Sequence, residues 1–320
     1  MIIHDRTLES KRRLPFLLIA LFLLGCFGSQ PHEILNSHLE KAKAAEKEGD
    51  YAKALNHYLE ALKIAPKNAE ALYGVGEDHY RKGDLKGARE YFNQVITLDP
   101  KHARGYYRLG RIAQKDEDLK AARRQLTQAV TLNPELGKAS LLLAEMERKE
   151  NPKRARELYE AGLRFEKDDP EPYYDYGKLL FEAEIWDRAE WALSEAVRLE
   201  PEKAKYQHRL GVILRRLDRA TEAVEALRKA ATLEPTHLEY RYTYASALKD
   251  ARRWEEAIAQ FADVLKIDAN HEKALYKIAS CYESAGKPAE AKEAYATAAA
   301  RIVKDQHLKE RAASKLRTLP

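Results

Sequence analysis

Residues 69–102 read AEALYGVGEDHYRKGDLKGAREYFNQVITLDPKH, and the spacing of small and apolar side chains in this stretch decides the architecture of the chain. Leu72, Val75 and Gly76, then Ala88, Phe92 and Val95, recur at three- and four-residue steps, which puts each set on one face of a helix. Two amphipathic helices are predicted, joined at Lys82-Gly83-Asp84. Gly83 supplies the turn after the first helix, and Asp84 caps the second by accepting from its exposed backbone N–H groups. Asp99-Pro100 closes the unit, because proline cannot continue the helical hydrogen-bond ladder.

The unit recurs along the chain. Ala54, Ala88, Ala122, Ala155, Ala189, Ala223, Ala257 and Ala291 follow one another at intervals of 34 residues, with a single interval of 33. Such a period predicts stacked helix-turn-helix units, each burying its apolar face on its neighbours. Eight units are delimited: 35–68, 69–102, 103–136, 137–169, 170–203, 204–237, 238–271 and 272–305. Charged residues make up 33% of the chain, and glycine and proline are sparse, so an all-α fold with a solvated, mixed-charge surface is expected and no sheet.

The unit resembles the tetratricopeptide repeat. The signature of a large apolar residue, Leu-Gly, Ala, an aromatic, Ala and Pro is legible in Tyr106, Leu109-Gly110, Ala122, Leu126, Ala129 and Pro134, with leucine at the aromatic's place. It recurs in Tyr173, Tyr176-Gly177, Ala189, Leu193, Ala196 and Pro201. The resemblance implies a right-handed superhelix, an α-solenoid in which each ladder alanine marks a close helix crossing. The fourth unit departs from the pattern: its turn Glu150-Asn151-Pro152 is one residue short, and Lys167 stands where the closing proline would fall. A local bend at this unit is expected, between a three-repeat and a four-repeat block. Residues 306–320 carry Leu308, Ala312 and Leu316 on one stripe and are expected to form a helix capping the last apolar face.

Residues 1–34 carry an address rather than structure. Lys11-Arg12-Arg13 precedes the apolar run LPFLLIALFLLG and Cys26, the layout of a secretory signal. Leu14 to Leu24 is shorter than the ~20 residues that span a bilayer as a helix. Leu23-Leu24-Gly25-Cys26 resembles the lipobox of bacterial lipoproteins, although Leu24 stands where that family more often has Ala, Ser or Thr. The resemblance implies cleavage after residue 25, a lipid on Cys26, a short linker to residue 34 and repeats facing the periplasm from the outer membrane. The alternative is a secretory signal or uncleaved anchor with an incidental cysteine; the basic cluster still orients the repeats outward. Cys281 is then the one free thiol of the mature chain, which leaves no disulfide, and it reads as a packing residue.

No HExxH, GxSxG or phosphate-binding glycine loop occurs, and the histidines are scattered, so no enzyme, no metal site and no cofactor are expected. His102, His237 and His271 fall at repeat boundaries, where capping or solvent exposure explains them. A net charge of +5 over 320 residues does not point to nucleic acid. In the family that the repeats resemble, the first helices line a concave groove for extended or helical peptide segments. Carried onto this chain, that face gives Leu39, Tyr73, Tyr107, Leu141, Tyr174, His208, Tyr242 and Tyr276, flanked by Arg111, Lys178 and Arg215. Tyrosine offers rigid contact area with a polar tip, which suits recognition, while repeat ancestry and local packing account for the same stripe.

Beside the column, Glu70 and Glu77 lie on the second repeat, Arg104, Arg111 and Lys115 on the third, and Lys205, Arg215 and Arg216 on the sixth, a pattern that favours acidic partners. The carboxylate clamp of chaperone-tail binders is not matched, since Leu39, Lys43 and Tyr107 stand at its positions and Arg111 alone agrees. The expected function is a lipid-anchored scaffold or adaptor docking an envelope protein. By resemblance to lipid-anchored proteins with these repeats, the partner belongs to a pilus or secretin assembly or to cell-wall machinery. The alternative is a structural spacer with no groove ligand.

Overall fold

The computed structural model describes residues 30–319, so the signal-like segment and Cys26 lie outside the described residues. Seventeen helices and no strand occur among these residues. They are paired as α1 (Pro31–Glu48) with α2 (Tyr51–Ile64), α3 (Ala69–Arg81) with α4 (Leu85–Leu98), α5 (Ala103–Lys115) with α6 (Leu119–Leu132) and α7 (Gly137–Glu147) with α8 (Pro152–Leu163). The series continues as α9 (Pro170–Glu182) with α10 (Trp186–Leu199), α11 (Ala204–Arg216) with α12 (Ala220–Leu233), α13 (Leu238–Asp250) with α14 (Trp254–Ile267) and α15 (Glu272–Ser284) with α16 (Pro288–Arg301). The unpaired α17 (Gln306–Thr318) follows. The first helix starts ahead of the expected repeat, with Pro31 in its first turn and Gln30 and Glu33 forming a reciprocal cap.

Local chemistry fixes the helix ends. The backbone N–H groups of Lys53, Gly87, Ala121 and Arg154 donate to the side chains of Asp50, Asp84, Asp118 and Asn151 at 2.9, 2.9, 2.9 and 3.2 Å, starting the second helices of the first four repeats. At repeat boundaries Nδ1 of His102, His237 and His271 accepts from Gly105, Tyr240 and Ala274 at 3.0, 3.4 and 3.1 Å, so these three histidines are helix caps.

Between the helices of a pair, one residue adopts the left-handed conformation: Gly49, Gly83 and Gly286 in three repeats, and Glu117, Glu184, Asp218 and Arg252 in four. The fourth repeat has none. Asn151 N–H there donates to the Glu147 carbonyl (2.7 Å), whereas Asp118 N–H in the third repeat reaches one residue further back, to Ala113 (2.9 Å). The residue missing from the 34-residue period is thus the one that turns the chain. Backbone approach in this repeat is correspondingly close: a Cβ on Gly137 would stand 2.8 Å from the Gly162 carbonyl oxygen.

The ladder alanines occupy the packed interior. Ala54 retains 1% of its surface and the other seven 0%. The chain divides into two compact units, one through Asn133 and one from Pro134 on. The first holds α1 to α6, with Ala42, Ala54 and Tyr58 in one core cluster and Ala88, Phe92 and Ile112 in the next. The second begins with the irregular fourth repeat, whose α8 packs on α9. It ends with α17 laid on the eighth repeat, where Leu308, Ala312 and the half-buried Leu316 join Tyr276, Tyr295 and Ile302. The Glu272 carboxylate ties this end down by accepting the backbone N–H groups of Val303, Lys304 and Asp305 at 2.7, 2.6 and 2.9 Å. Cys281 is fully buried, and burial pushes its thiol up to about 11, which makes it a packing residue as expected. No described helix is long and apolar enough to cross a membrane.

Candidate functional site

The first-helix column is more closed than its tyrosine content suggests. Tyr73, Tyr107, His208 and Tyr276 retain only 6–8% of their surface, while Leu141, Tyr174 and Tyr242 are half-buried. For these residues the local packing weighed against recognition in the sequence is what the structure shows. Neighbouring side chains cover the rings: the Arg104 guanidinium lies 4.4 Å above Tyr73, and Arg311 lies 5.2 Å from the Tyr276 ring, which also meets Tyr295 edge-on. Burial pushes the Tyr73 hydroxyl up to about 12.

His208 is a packing residue. Its Nε2 lies 3.2 Å from Thr243 Oγ1 and its ring 4.6 Å from Tyr240, and burial depresses its pKa to about 4, so the imidazole is neutral at pH 7. Tyr174 leans on Tyr206, with the ammonium groups of Lys178 and Lys205 at 5.1 and 4.9 Å from its ring. Tyr242 rests on Phe261 and His271 and is half-buried.

Charge separates the repeats more sharply than aromatic content does. In the second unit, Lys178 meets Asp175 (3.4 Å), Lys205 meets Glu171 (2.7 Å) and Arg215 meets Asp250 (2.6 Å). The basic patch read on the sixth repeat is therefore largely neutralised. In the first unit, Lys43 pairs with Glu70 at 2.6 Å, and Arg108 grips Glu77 with Nε and Nη2, each at 2.5 Å.

Basic side chains of α5 also lie on aromatic rings, Arg104 on Tyr73 and Arg108, Arg111 and Lys115 at 5.0, 5.6 and 4.8 Å from the Tyr80 centroid. The Tyr80 hydroxyl is buried without a hydrogen-bond partner. Beside Arg104, Lys43, Glu46, Tyr58, Glu70, Tyr73, Asp99 and His102 line a recess of about 290 Å³.

Tyr80 and Arg108 are members of this cluster that sequence reading missed. The signal was present: basic residues at 104, 108, 111 and 115 fall on one face of α5. No group of three or more His, Cys, Asp or Glu side chains suited to a metal ion occurs among the described residues.

Models of the tetratricopeptide repeat match residues 39–103, 107–172 and 248–314. The chain belongs to the tetratricopeptide repeat family. Residues 186–264 also match the model of subunit 3 of the anaphase-promoting complex, or cyclosome. No curated protein matches the chain in sequence.

Among solved structures, the tetratricopeptide protein YrrB, described as having an unusual peptide-binding site, is 25% identical with a TM-score of 0.53, covering 59% of this chain and 97% of its own. PilF of Pseudomonas aeruginosa is 19% identical with a TM-score of 0.56, covering 66% of this chain and 96% of its own, a likeness of fold. The tetratricopeptide architecture and a protein-binding role for the repeats follow from these matches and from the helix pairs.

Proposed function

We propose that the chain is a non-enzymatic scaffold, tethered to the bacterial envelope through a lipid on Cys26, that docks a segment of another envelope protein on the first-helix face of its repeats. The observation that supports this most is the equivalent placement of Tyr174 and Tyr242, half-open at the same position of α9 and α13 and bordered by polar side chains. An extended segment would meet these two stations two repeats apart, with hydroxyl and charged side chains available to its backbone. The peptide-binding site ascribed to YrrB gives the reading a precedent within the family. A component of a pilus or secretin assembly or of cell-wall machinery is the partner class proposed.

The burial of five column residues, Leu39 among them, favours the competing reading, a spacer with no ligand. A photo-crosslinking residue placed at Tyr174 or Tyr242 in intact envelopes separates the two. A discrete adduct at both sites, absent when the same residue replaces exposed Arg228 on α12, is expected. No adduct at either site leaves the spacer. Loss of palmitate labelling in Cys26→Ser tests the tether, and labelling that persists removes it.

A further inference from the structure

We infer that His38 on α1 and His57 on α2 form a binding site for a late first-row divalent metal ion, Zn2+ foremost, held between their Nδ1 atoms. The site depends on neither the tether nor the groove. It departs from the expectation drawn from scattered histidines, because two residues 19 apart in sequence carry no metal-ligand spacing to read. Packing α1 on α2 brings them together, with the two Nδ1 atoms 3.2 Å apart. Imidazoles elsewhere in the chain meet oxygen, His79 at Asp84 and His208 at Thr243.

The separation of the nitrogens is that of two ligands on one ion. Zn–N bonds of about 2.0–2.1 Å put two nitrogens about 2.9 Å apart at a right angle and about 3.4 Å apart at the tetrahedral angle. The ring centroids lie 5.4 Å apart with their planes tilted by 50°, so the rings open away from the point on which the Nδ1 atoms converge. Without an ion, one ring donates its Nδ1 proton to the other. An ion takes both lone pairs once that proton shifts to Nε2 through water. Both rings are half-buried, and their sequence neighbours Leu39 and Tyr58 are fixed in the core of the first repeat, which holds the two backbones in place.

The surrounding charges decide which ion suits the pair. Glu60, half-buried on α2 about one turn beyond His57, acts on both imidazoles, and its Oε1 otherwise pairs with the exposed Lys63 at 2.6 Å. Lys41 on α1 and Lys53 on α2 act on His57 in the opposite sense. Burial first, then His38 and these two ammonium groups, lower the His57 pKa, which leaves its lone pair free at neutral pH. Two neutral imidazoles with water completing the shell suit Zn2+, Cu2+ and Ni2+, whereas Mg2+ and Ca2+ call for oxygen ligands. Because the two ligands lie on different helices, a bound ion opposes the separation of α1 from α2.

The test titrates the full chain with zinc chloride at neutral pH by calorimetry. One equivalent is expected to bind, weakened at least about tenfold in His38→Gln and in His57→Gln and less than about twofold in His79→Gln. In the parent, zinc is expected to shift the ring C–H resonances of His38 and His57 in histidine-labelled protein and to slow amide exchange in α1 and α2. These two readings do not depend on the folding of any variant. Magnesium chloride is expected to produce neither. Zinc binding that both variants retain overturns the inference, as does loss in one variant alone. Unshifted ring resonances overturn it even where zinc binds, because the ion then sits on other residues, Cys26 among the candidates. Unchanged exchange in α1 and α2 also overturns it, since an ion that bridges two helices must slow their opening.

Discussion

Gly110 sits directly against Leu126: a Cβ built on the glycine would stand 2.8 Å from Leu126 Cγ and 3.4 Å from the carbonyl oxygen of Ala122. The two helices of the third repeat therefore approach until one backbone nearly meets the other, and Ala122, with no exposed surface, lies at that crossing. Ala122→Leu is expected to destabilise the first unit by about 1–3 kcal/mol. A lower thermal midpoint by far-ultraviolet circular dichroism confirms it, and an unchanged or higher midpoint removes the crossing assignment.

Glu117 adopts φ 61°, where Gly83 in the preceding repeat has φ 82°. A side chain in the left-handed region costs about 1–2 kcal/mol, partly offset by the greater chain entropy that glycine loses on folding. Glu117→Gly is expected to stabilise the first unit by roughly 0.5–1 kcal/mol, and Gly83→Ala to destabilise it by a similar amount. Slower amide exchange in α5 and α6 of the glycine variant checks the first effect, and faster exchange in either helix refutes it.

The repeat was legible because one residue type is forced at one point: a crossing that admits only alanine leaves Ala54 to Ala291 as a periodic mark. The turn was legible at Gly83, where glycine marks it, and hidden where Glu117, Glu184, Asp218 and Arg252 carry the same conformation. The position of His102, His237 and His271 at repeat boundaries left capping and solvent exposure open, and their bonds to Gly105, Tyr240 and Ala274 decide for capping. Openness of the column did not follow, because it depends on whether a long neighbour such as Arg104 folds over the ring or extends into solvent. Sequence likewise displayed the basic residues of the third and sixth repeats as equals. Only distances such as Arg215 to Asp250, 2.6 Å, show that a given cation is neutralised.

Replacing the tyrosines by alanine has two different effects. Tyr73 packs against Phe92 and His102 and is 6% exposed, so Tyr73→Ala is expected to cost about 3–5 kcal/mol and to confound any binding assay. Half-exposed Tyr174 should cost about 1–2 kcal/mol on the same change. Urea unfolding distinguishes them, and equal costs refute the difference in burial. Tyr174→Ala and Tyr242→Ala are therefore the changes to carry into partner capture, with Tyr107 left intact.

His208 gives the second unit a calculable response to acid. Burial lowers its pKa from 6.5 to about 4, so the unfolded chain binds the proton more readily than the folded one across that window. The stabilisation is complete above pH 6.5, is lost progressively as pH falls toward 4, and amounts to about 3 kcal/mol over the whole interval. His208→Gln retains a polar group near Thr243 but does not titrate, so its stability should fall less steeply between pH 6.5 and 4 than that of the parent. Trp186, Trp191 and Trp254 all lie in the second unit, and their fluorescence during urea unfolding at stepped pH reports the difference. Parallel pH curves for the parent and His208→Gln would show that the imidazole takes up its proton without cost to the fold.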